Sequence, residues 1–439
     1  MKAKNIFLMA LYGVLTLSIL TPLAAAQAPV EIKLWSEFSS DPAKSAMDAV
    51  VAAFNAEHPD VRVTHVTFAS NNEYESAVKA AFASGEVADV IELNAGGWLA
   101  PYVDADQLMD LTDLAGQYRD NFTPGTWSVV TYRDRIWAAP FGIQPGNFIF
   151  YNKDILKEQG IDPATLTSWS TFTAALEQLK QAGITPLVAG NKEGWPGSHL
   201  FGHLLVRSMG VEGADDLVKR GLQPGYTTDL KFTDPSAARP WELMKELQDK
   251  GYFSEGLVSD DFPTAYGKFF NGQGAFFQTG GWLLSTQLEL APDFPLGYML
   301  VPAFDDVPKS DVTDVVFNAV ALTVPKNAKH PEEALAFLEW WLSSETPHRI
   351  WSENLPGHLP AMKTITSLDN ALPQVNDFLA FFNNADHSTM FIDSLLDGDL
   401  SVEALWQASQ GLWIGALTPQ QAAENAEMLV SEWQATHPE

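Results

Sequence analysis

The sequence predicts an α/β fold of two lobes, each built on a mostly parallel, helix-covered sheet, with a hinged cleft between them. Near the N-terminus, strand patterns alternate with helix patterns, which is typical of parallel sheets. The alternation is then interrupted by Gly142, Pro145 and Gly146, where we expect the chain to cross into a second lobe. A second crossing is expected at 298–302, where a strand pattern leads into an acidic loop.

The first lobe is predicted to contain strands and helices in alternation. Its main elements are the strands 30–35, 61–66, 87–93 and 315–324 and the helices 43–54, 74–82 and 331–342. In the first helix, apolar residues recur three and four positions apart, and the helix stops before Pro59. The second helix stops at Gly85, a residue type common at helix ends. These elements predict a first lobe made of residues 29–141 and 303–343.

The second lobe is predicted from the elements that follow the first crossing. They are an apolar run at 148–152, a helix at 170–181, a strand at 186–190, helices at 199–209 and 241–250, and a buried strand at 275–277. The C-terminal part, from about Ser344, is rich in helix and loop patterns and is expected to complete this lobe. The predicted second lobe therefore consists of residues 142–302 and 344–439.

Four tryptophans stand at the ends of predicted strands rather than inside helical patterns. Gly-Gly-Trp occurs twice, at Trp98 and Trp282, and Trp35 and Trp195 follow two other strand patterns. Ligands of open α/β sheets bind at the carboxyl ends of strands, where loops converge. An indole there can lie against the apolar face of a pyranose ring, while Asn, Asp and Glu bind its hydroxyls. Tryptophan is more often a core residue, as we predict for 340–341, but the four together predict a sugar site.

The first residues have the pattern of a secretory signal peptide. A charged start is followed by an apolar run and an alanine-rich segment, so we predict a signal peptide over residues 1–26, cleaved after Ala26 or Ala28. The chain contains no cysteine, and thus neither a disulfide nor a cysteine for a lipid anchor. No later run is long and apolar enough to span a membrane. These observations predict a soluble protein, expected to be monomeric, in the periplasm of a double-membrane bacterium.

The composition is strongly acidic, with a formal net charge of −29 at pH 7. Nucleic acids and anionic membranes need a basic surface, and the sequence contains no basic run. A phosphate ligand is disfavoured because the arginines are few and dispersed, although one or two well-placed arginines would suffice. The charge therefore excludes a nucleic-acid partner and disfavours a polyanionic ligand.

Six short segments share a common pattern with one protein family: Lys33-Leu34-Trp35, 54–59, 83–90, 151–156, 183–187 and Gly281-Trp282. Together they resemble extracellular solute-binding proteins of the maltose-binding type (family 1), which deliver sugars to ABC importers. The resemblance covers nearly the whole chain after the signal peptide. It implies two lobes that close on a sugar and a permease that recognises the closed form. One turn departs from the family pattern, because Asp134-Arg135 stands where relatives often have Gly-Lys.

The same resemblance implies a set of ligand-binding residues on both lobes. They are Trp35, Glu37, Asn94, Trp98, Trp195, His199, Gly281, Trp282, Asn318 and His358. It implies no catalysis, no metal and no cofactor. The ligand is left open between a monosaccharide and an oligosaccharide.

Alternative sites fit parts of the sequence. A secreted, acidic, tryptophan-rich chain could be a glycoside hydrolase that uses two carboxylates, but no such pair stands in an apolar corner. The same fold could bind a non-sugar solute, such as a metal or an oxyanion, yet clusters of tyrosine, histidine or arginine are not visible. His199 and His203 lie four residues apart on a predicted helix but lack a third metal ligand. The acidic loop 305–314 is expected to be solvated rather than calcium-binding.

Overall fold

The computed structural model describes residues 28–308, 310–311, 313–385 and 387–438, so the predicted signal peptide lies outside the described residues. The strands in this part are β1 (Val30–Trp35), β2 (Val61–Val66), β3 (Val90–Asn94), β4 (Thr131–Tyr132), β5 (Arg135–Ile136), β6 (Ala139–Pro145), β7 (Phe148–Asn152), β8 (Leu187–Val188), β9 (Phe276–Thr279), β10 (Leu296–Leu300), β11 (Val315–Thr323) and β12 (Ser388–Met390). The helices are α1 (Ala43–Glu57), α2 (Asn71–Ser84), α3 (Ala100–Asp104), α4 (Thr112–Tyr118), α5 (Pro124–Ser128), α6 (Lys153–Glu158), α7 (Trp169–Gln181), α8 (Trp195–Val218), α9 (Pro235–Asp249), α10 (Phe262–Phe270), α11 (Leu283–Leu290), α12 (Pro331–Ser343), α13 (Glu345–Asn354), α14 (Pro373–Asn384), α15 (Gly398–Ser401), α16 (Gln407–Trp413) and α17 (Pro419–Thr436). None of these helices is both long and apolar enough to cross a membrane.

The first lobe is built on a mixed six-stranded sheet. β1 lies between β2 and β3 and pairs with both in parallel, as the alternating patterns predict. β11 returns from the other lobe and pairs antiparallel with β3 and β6, while its first three residues pair in parallel with β12. Because β1 and β3 are parallel neighbours, the loops that follow them leave the same edge of the sheet. These loops carry residues 35–37 and 94–98 of the predicted site.

The second lobe has a four-stranded sheet in the order β10-β7-β9-β8. The prediction of a two-lobed α/β fold is confirmed, but this sheet is less parallel than expected. β7 pairs antiparallel with β10 and β9, and the parallel pair is β8 with β9. The reason is that the chain enters the lobe along β7 and leaves it along β10, so these two neighbours run in opposite directions. β8 is also shorter than predicted, and α8 begins at Trp195 rather than at residue 199.

Trp340 and Trp341 on α12 are core residues, as predicted, with 6% and 0% of their surfaces exposed. Trp340 packs edge-on against Phe54 of α1, and Trp341 packs against Phe141 of β6. α13 follows the predicted lobe boundary at 343/344 and packs against α1 of the first lobe. The lobe limits inferred from the sequence stay a prediction, and these contacts extend the first lobe's packing past that boundary.

The first crossing between the lobes is shorter than the segment 142–146 that the sequence indicated. β6 continues as far as Pro145 in the first sheet, and β7 begins at Phe148 in the second. Pro145 is tolerated in β6 because this strand lies at the border of the sheet, where the absent N–H removes no essential ladder bond. The crossing itself is therefore confined to Gly146 and Asn147.

Asn147 joins the two crossings to each other. Its backbone carbonyl accepts a hydrogen bond of 3.0 Å from the Val301 N–H, and its Nδ2 donates to the Asp314 carbonyl at 2.7 Å. Its side chain is 1% exposed, so these bonds are protected from water. The chain thus enters and leaves the second lobe at one hydrogen-bonded point, which is the geometry of a hinge.

Candidate ligand-binding site

An aromatic cluster lies where α8 and α11 begin on the second lobe. Trp195 is the first residue of α8, and Trp282 immediately precedes α11. The Trp282 ring centroid lies 6.1 Å from that of Trp195 and 6.0 Å from those of His199 and Phe391. The His199 ring stacks on Phe391, with centroids 3.8 Å apart. The structure thus brings three of the predicted site residues together around Phe391.

Glycines shape the corner that carries Trp282. A Cβ on Gly280 would lie 2.0 Å from the Trp282 ring, so glycine is required for the indole to fold back over the backbone. Gly281 donates its backbone N–H to the Pro145 carbonyl at 2.7 Å. Gly357 packs so closely on Gly281 that an added Cβ would lie 1.9 Å from the Gly281 oxygen. Gly281 therefore joins the second lobe to the end of β6 through its backbone.

A polar group occupies the crossing between the lobes. Gln144 on β6 and Asn318 on β11 are cross-strand neighbours, and Asn318 Nδ2 donates to Gln144 Oε1 at 3.1 Å. Gln144 Nε2 lies 2.6 Å from His358 Nε2. Because an amide nitrogen only donates, His358 Nε2 is the acceptor and its Nδ1 carries the proton. Burial lowers the pKa of His358 to about 3, which keeps this ring neutral.

Two atoms of this polar group make no well-directed hydrogen bond among the described residues. They are the buried Asn318 Oδ1 and His358 Nδ1, and the Pro356 backbone lies near the His358 ring, where it acts to raise the pKa that burial lowers. The first is an acceptor and the second a donor. Buried polar atoms normally have partners, so this pair matches a ligand that offers both a donor and an acceptor.

Trp98 on the first lobe faces Trp406 on the second, with ring centroids 5.4 Å apart. Trp406 ends the π-helical turn Val402–Trp406, a rare geometry that is frequent at functional sites. Its Nε1 donates to Asp393 Oδ2 at 2.9 Å, and the same oxygen lies 3.5 Å from His199 Nε2. Trp98 is therefore connected to the aromatic cluster through Trp406 and Asp393.

The loop after β1 places Glu37 against Glu92 of β3. The Glu37 backbone N–H donates to Glu92 Oε2 at 3.2 Å, and the Tyr74 hydroxyl donates to the Glu92 carbonyl. Burial raises the pKa of Glu37 to about 7, and the Glu75 carboxylate acts in the same direction. Burial also raises the pKa of Glu92 well above its ordinary value, and the charge of Glu37 adds to this effect. The pair therefore carries less than two negative charges at pH 7.

Trp35 and Asn94 lie at the ends of β1 and β3, with half-buried side chains. The Trp35 ring stands edge-on to Phe68, with centroids 5.1 Å apart, so part of its surface packs on the first lobe. Asn94 pairs with Val320 of β11 through the backbone. Ligand contact by these two residues, as by the other eight of the predicted set, stays a prediction.

The titratable groups of the predicted site are carboxyls and histidines, and the buried Arg207 lies near His203 and faces Asp314. Burial lowers the pKa of His199 to about 3 and that of His203 well below its ordinary value. Among the described residues, no ion pair joins Glu92 or Asp393 to a lysine or an arginine. In that same part of the chain, no three His, Asp or Glu side chains are grouped as metal ligands would be.

Residues 39–346, more than half of the chain, match the model of one protein family, described as bacterial extracellular solute-binding protein. The chain belongs to this family. Solute-binding proteins of ABC importers are not enzymes, so this solute-binding protein is not a glycoside hydrolase. The family also assigns it a place of action outside the cytoplasm.

Three curated relatives of this solute-binding protein illustrate the range of its family. An ABC transporter extracellular-binding protein of Pyrococcus horikoshii is 23% identical, over 92% of this chain and 90% of the relative. A xylose/arabinose-binding protein of Haloferax volcanii is 24% identical, over 77% of this chain and 70% of the relative. An sn-glycerol-3-phosphate-binding periplasmic protein of Pectobacterium atrosepticum is 23% identical, over 92% and 91%.

Solved structures share the fold of this solute-binding protein. A bacterial solute receptor with a preference for β-D-galactopyranose superposes with a TM-score of 0.81 at 18% identity. The match covers 92% of this chain and 99% of that one. At this level of identity the likeness establishes the two-lobed fold alone.

Five residues of the cleft were missed by the sequence analysis of this solute-binding protein. They are Glu92, Gln144, Phe391, Asp393 and Trp406. Trp406 follows Ala-Leu in a helical pattern and therefore resembles a core residue. The position of Asp393 could have indicated it, because an acidic residue shortly after a strand is the same pattern that singled out Glu37 after β1, and Asp393 follows the short strand β12.

Proposed function

We propose that this solute-binding protein captures a sugar in the cleft between its lobes and delivers it to the permease of an ABC importer. It does so in the periplasm, as a monomer, after removal of its signal peptide. The observation that carries the proposal is the cluster of aromatic rings beside buried carboxyl, amide and imidazole groups. The predicted ten-residue site, extended by Phe391, Asp393, Trp406 and Gln144, is the site we assign to the sugar.

The chemistry of these groups matches that of a sugar. The half-buried rings of Trp195 and Trp282 suit the apolar C–H face of a pyranose. Sugar hydroxyls both donate and accept hydrogen bonds, and the free atoms of Asn318 and His358 include one acceptor and one donor. A concave site with apolar walls and a few convergent polar atoms is typical for a small neutral ligand.

The relatives bind two kinds of ligand by name, sugars and a phosphate ester, and the charges of the cleft favour the sugar. A phosphate carries close to two negative charges and is usually held by arginine, lysine or helix N-termini. Here the acids Glu37, Glu92 and Asp393 lie around the cleft, and burial raises the pKa of each. A phosphate ester placed near them would repel any of these carboxylates that is ionised.

A thermal-shift screen tests the proposal. The protein is unfolded and refolded to remove co-purified ligand, then heated with xylose, arabinose, galactose, maltose, raffinose or a chitin oligosaccharide. sn-Glycerol 3-phosphate forms the contrasting arm. A ligand present at 100 times its Kd adds about 2.7 kcal/mol of stability and raises the melting temperature measurably.

The outcomes of this screen are distinct. Stabilisation by at least one sugar, with none by the phosphate ester, supports the proposal. Stabilisation by the phosphate ester alone contradicts the proposal and indicates that the ligand is a phosphorylated polyol rather than a sugar. The bound sugar, released and examined by mass spectrometry, is expected to be intact.

A further inference from the structure

Asp393 lies on a segment that contacts both lobes. The segment begins with β12, which pairs with β11 of the first sheet. A Cβ on Gly97 of the first lobe would lie 1.6 Å from the Leu396 oxygen, so the two backbones are in direct contact. On the other side, Gly202 of α8 packs against Ile392, from which an added Cβ would be 3.2 Å away. Asp393 is therefore held at the junction of the lobes by close packing of neighbouring residues on each side.

One oxygen of Asp393 has a hydrogen-bond donor, and the other lacks a well-directed one. Oδ2 accepts the hydrogen bond of 2.9 Å from Trp406 Nε1 and lies 3.5 Å from His199 Nε2. Oδ1 is buried and makes no well-directed hydrogen bond among the described residues, and the whole side chain is 2% exposed. The Ser198 side chain and the Ser394 backbone lie near the carboxyl and partly offset the rise in its pKa that burial causes. A buried acceptor left without a donor costs free energy, and each such atom in a native protein needs an explanation.

The imidazole of His199, beside Asp393, also has one nitrogen without a partner. His199 is fixed by its stack on Phe391, and its Nδ1 is also buried and without a partner in the described part of the chain. The neutral imidazole brings no positive charge to Asp393, because burial lowers the pKa of His199 to about 3. Asp393 is thus a buried carboxyl with no lysine or arginine paired to it among the described residues, and the imidazole whose Nε2 faces its Oδ2 has a second nitrogen without a partner there.

We propose that Asp393 Oδ1 and His199 Nδ1 form a subsite that binds hydroxyls of the ligand, with both atoms as acceptors that select hydrogen-bond donors. The subsite deepens the proposed function and rests on it. When Nε2 of the neutral His199 carries the proton and faces Asp393 Oδ2, Nδ1 is an acceptor, so the sugar supplies one hydroxyl donor to Oδ1 and one to Nδ1. A phosphate ester carries close to two negative charges at pH 7 and is repelled by the same carboxyl when that carboxyl is ionised. Trp406 positions Asp393 through its hydrogen bond to Oδ2 and leaves Oδ1 without a donor from the indole.

The alternative role for Asp393 is structural, as an anchor for the Trp406 indole. The two roles predict different results for Asp393→Asn. Asparagine keeps the shape of the side chain and one oxygen to accept from Trp406 Nε1, but it has no second acceptor. Asp399→Asn is the matched control, because it removes an exposed acid from the same segment.

The experiment measures affinity and ligand-free stability for both variants. Affinity is titrated calorimetrically with each sugar of the thermal-shift panel that stabilises the unmodified protein. A hydrogen bond to a charged group is worth enough that Asp393→Asn should weaken binding roughly 10- to 100-fold, while Asp399→Asn changes it less than about 3-fold. The ligand-free melting temperature of Asp393→Asn at pH 8 should be equal to or above that of the unmodified protein, because a buried carboxylate has been removed.

Each result has a defined meaning. Unchanged affinity in Asp393→Asn overturns the subsite even if the sugar function holds. A lowered melting temperature without ligand supports the structural anchor and also overturns it. If no sugar in the panel binds the unmodified protein, the proposed sugar function fails, and the ligand-free melts still decide whether Asp393 is an anchor or a destabilised site for another donor.

Discussion

Replacing Glu37 by glutamine should stabilise the ligand-free protein at pH 8. Glu37 is enclosed beside Glu92, and its pKa is raised by burial to about 7 from an ordinary 4.5. One pKa unit corresponds to 1.36 kcal/mol, so the ionised carboxylate costs the folded state about 3 kcal/mol. Glutamine fills nearly the same volume without the charge and should recover up to this amount.

The sign of the pH dependence follows from the two pKa values. The unfolded chain loses the Glu37 proton near pH 4.5, whereas the folded chain keeps it until about pH 7. Between these values the folded state binds more protons, so its stability falls as the pH rises. The stabilisation by Glu37→Gln should therefore be small at pH 4.5, grow up to about pH 7 and remain constant above it.

Urea unfolding of the ligand-free protein at pH 5 and at pH 8 measures this difference. Glu31→Gln is the control, because Glu31 is exposed on β1, the strand that precedes Glu37, and its replacement should change stability by less than about 0.5 kcal/mol at both pH values. A Glu37→Gln variant that is less stable than the unmodified protein at pH 8 would refute the reasoning. So would a gain in stability that is larger at pH 5 than at pH 8.

Three further predictions concern the aromatic cluster, the lobe junction and the hinge. Trp282→Ala should weaken sugar binding by on the order of 2 to 4 kcal/mol in calorimetric titration, whereas Trp341→Ala in the core should lower folding stability by about 3 to 5 kcal/mol and leave the affinity of the folded fraction unchanged. The reverse pattern would remove Trp282 from the site. Gly97→Ala should lower the melting temperature because its Cβ would lie 1.6 Å from the Leu396 oxygen, whereas Gly116→Ala on α4, where an added Cβ meets no atom within 4 Å, should be neutral or slightly stabilising. Equal changes in the melting temperatures of the two variants would contradict the backbone contact. Saturating sugar should reduce the radius of gyration in solution scattering without changing helix content, and an identical scattering curve would count against the hinge at 146–147.

The sequence predicts the elements whose patterns are local. β1 and β2 have the predicted bounds because alternating apolar residues set their register in a half-buried sheet. The crossing at 142–146 was located within a few residues but was too wide, because Gly142 and Pro145 look like strand breakers. Both are accommodated in β6, which lies at the border of its sheet.

The missed residues depend on contacts between distant parts of the chain. Asp393 lies at the lobe junction beside His199 and Trp406, and no local period of the sequence indicates these contacts. Gln144 gains its role from Asn318 and His358, both more than 150 positions away. The strand-end rule predicts Trp195 and Trp282 because a strand end is a local feature, and the structure places their ring centroids 6.1 Å apart.

The central claim is that a sugar binds against the aromatic cluster in the cleft, and a crystal structure with the most stabilising sugar of the panel tests it most directly. We expect a sugar ring against the face of the Trp282 indole, with a hydroxyl within about 2.6 to 3.2 Å of Asp393 Oδ1. The two lobes should lie on either side of that sugar. A sugar bound away from Trp195, His199 and Trp282, or an occupied cleft in which these rings make no contact with it, would contradict the account.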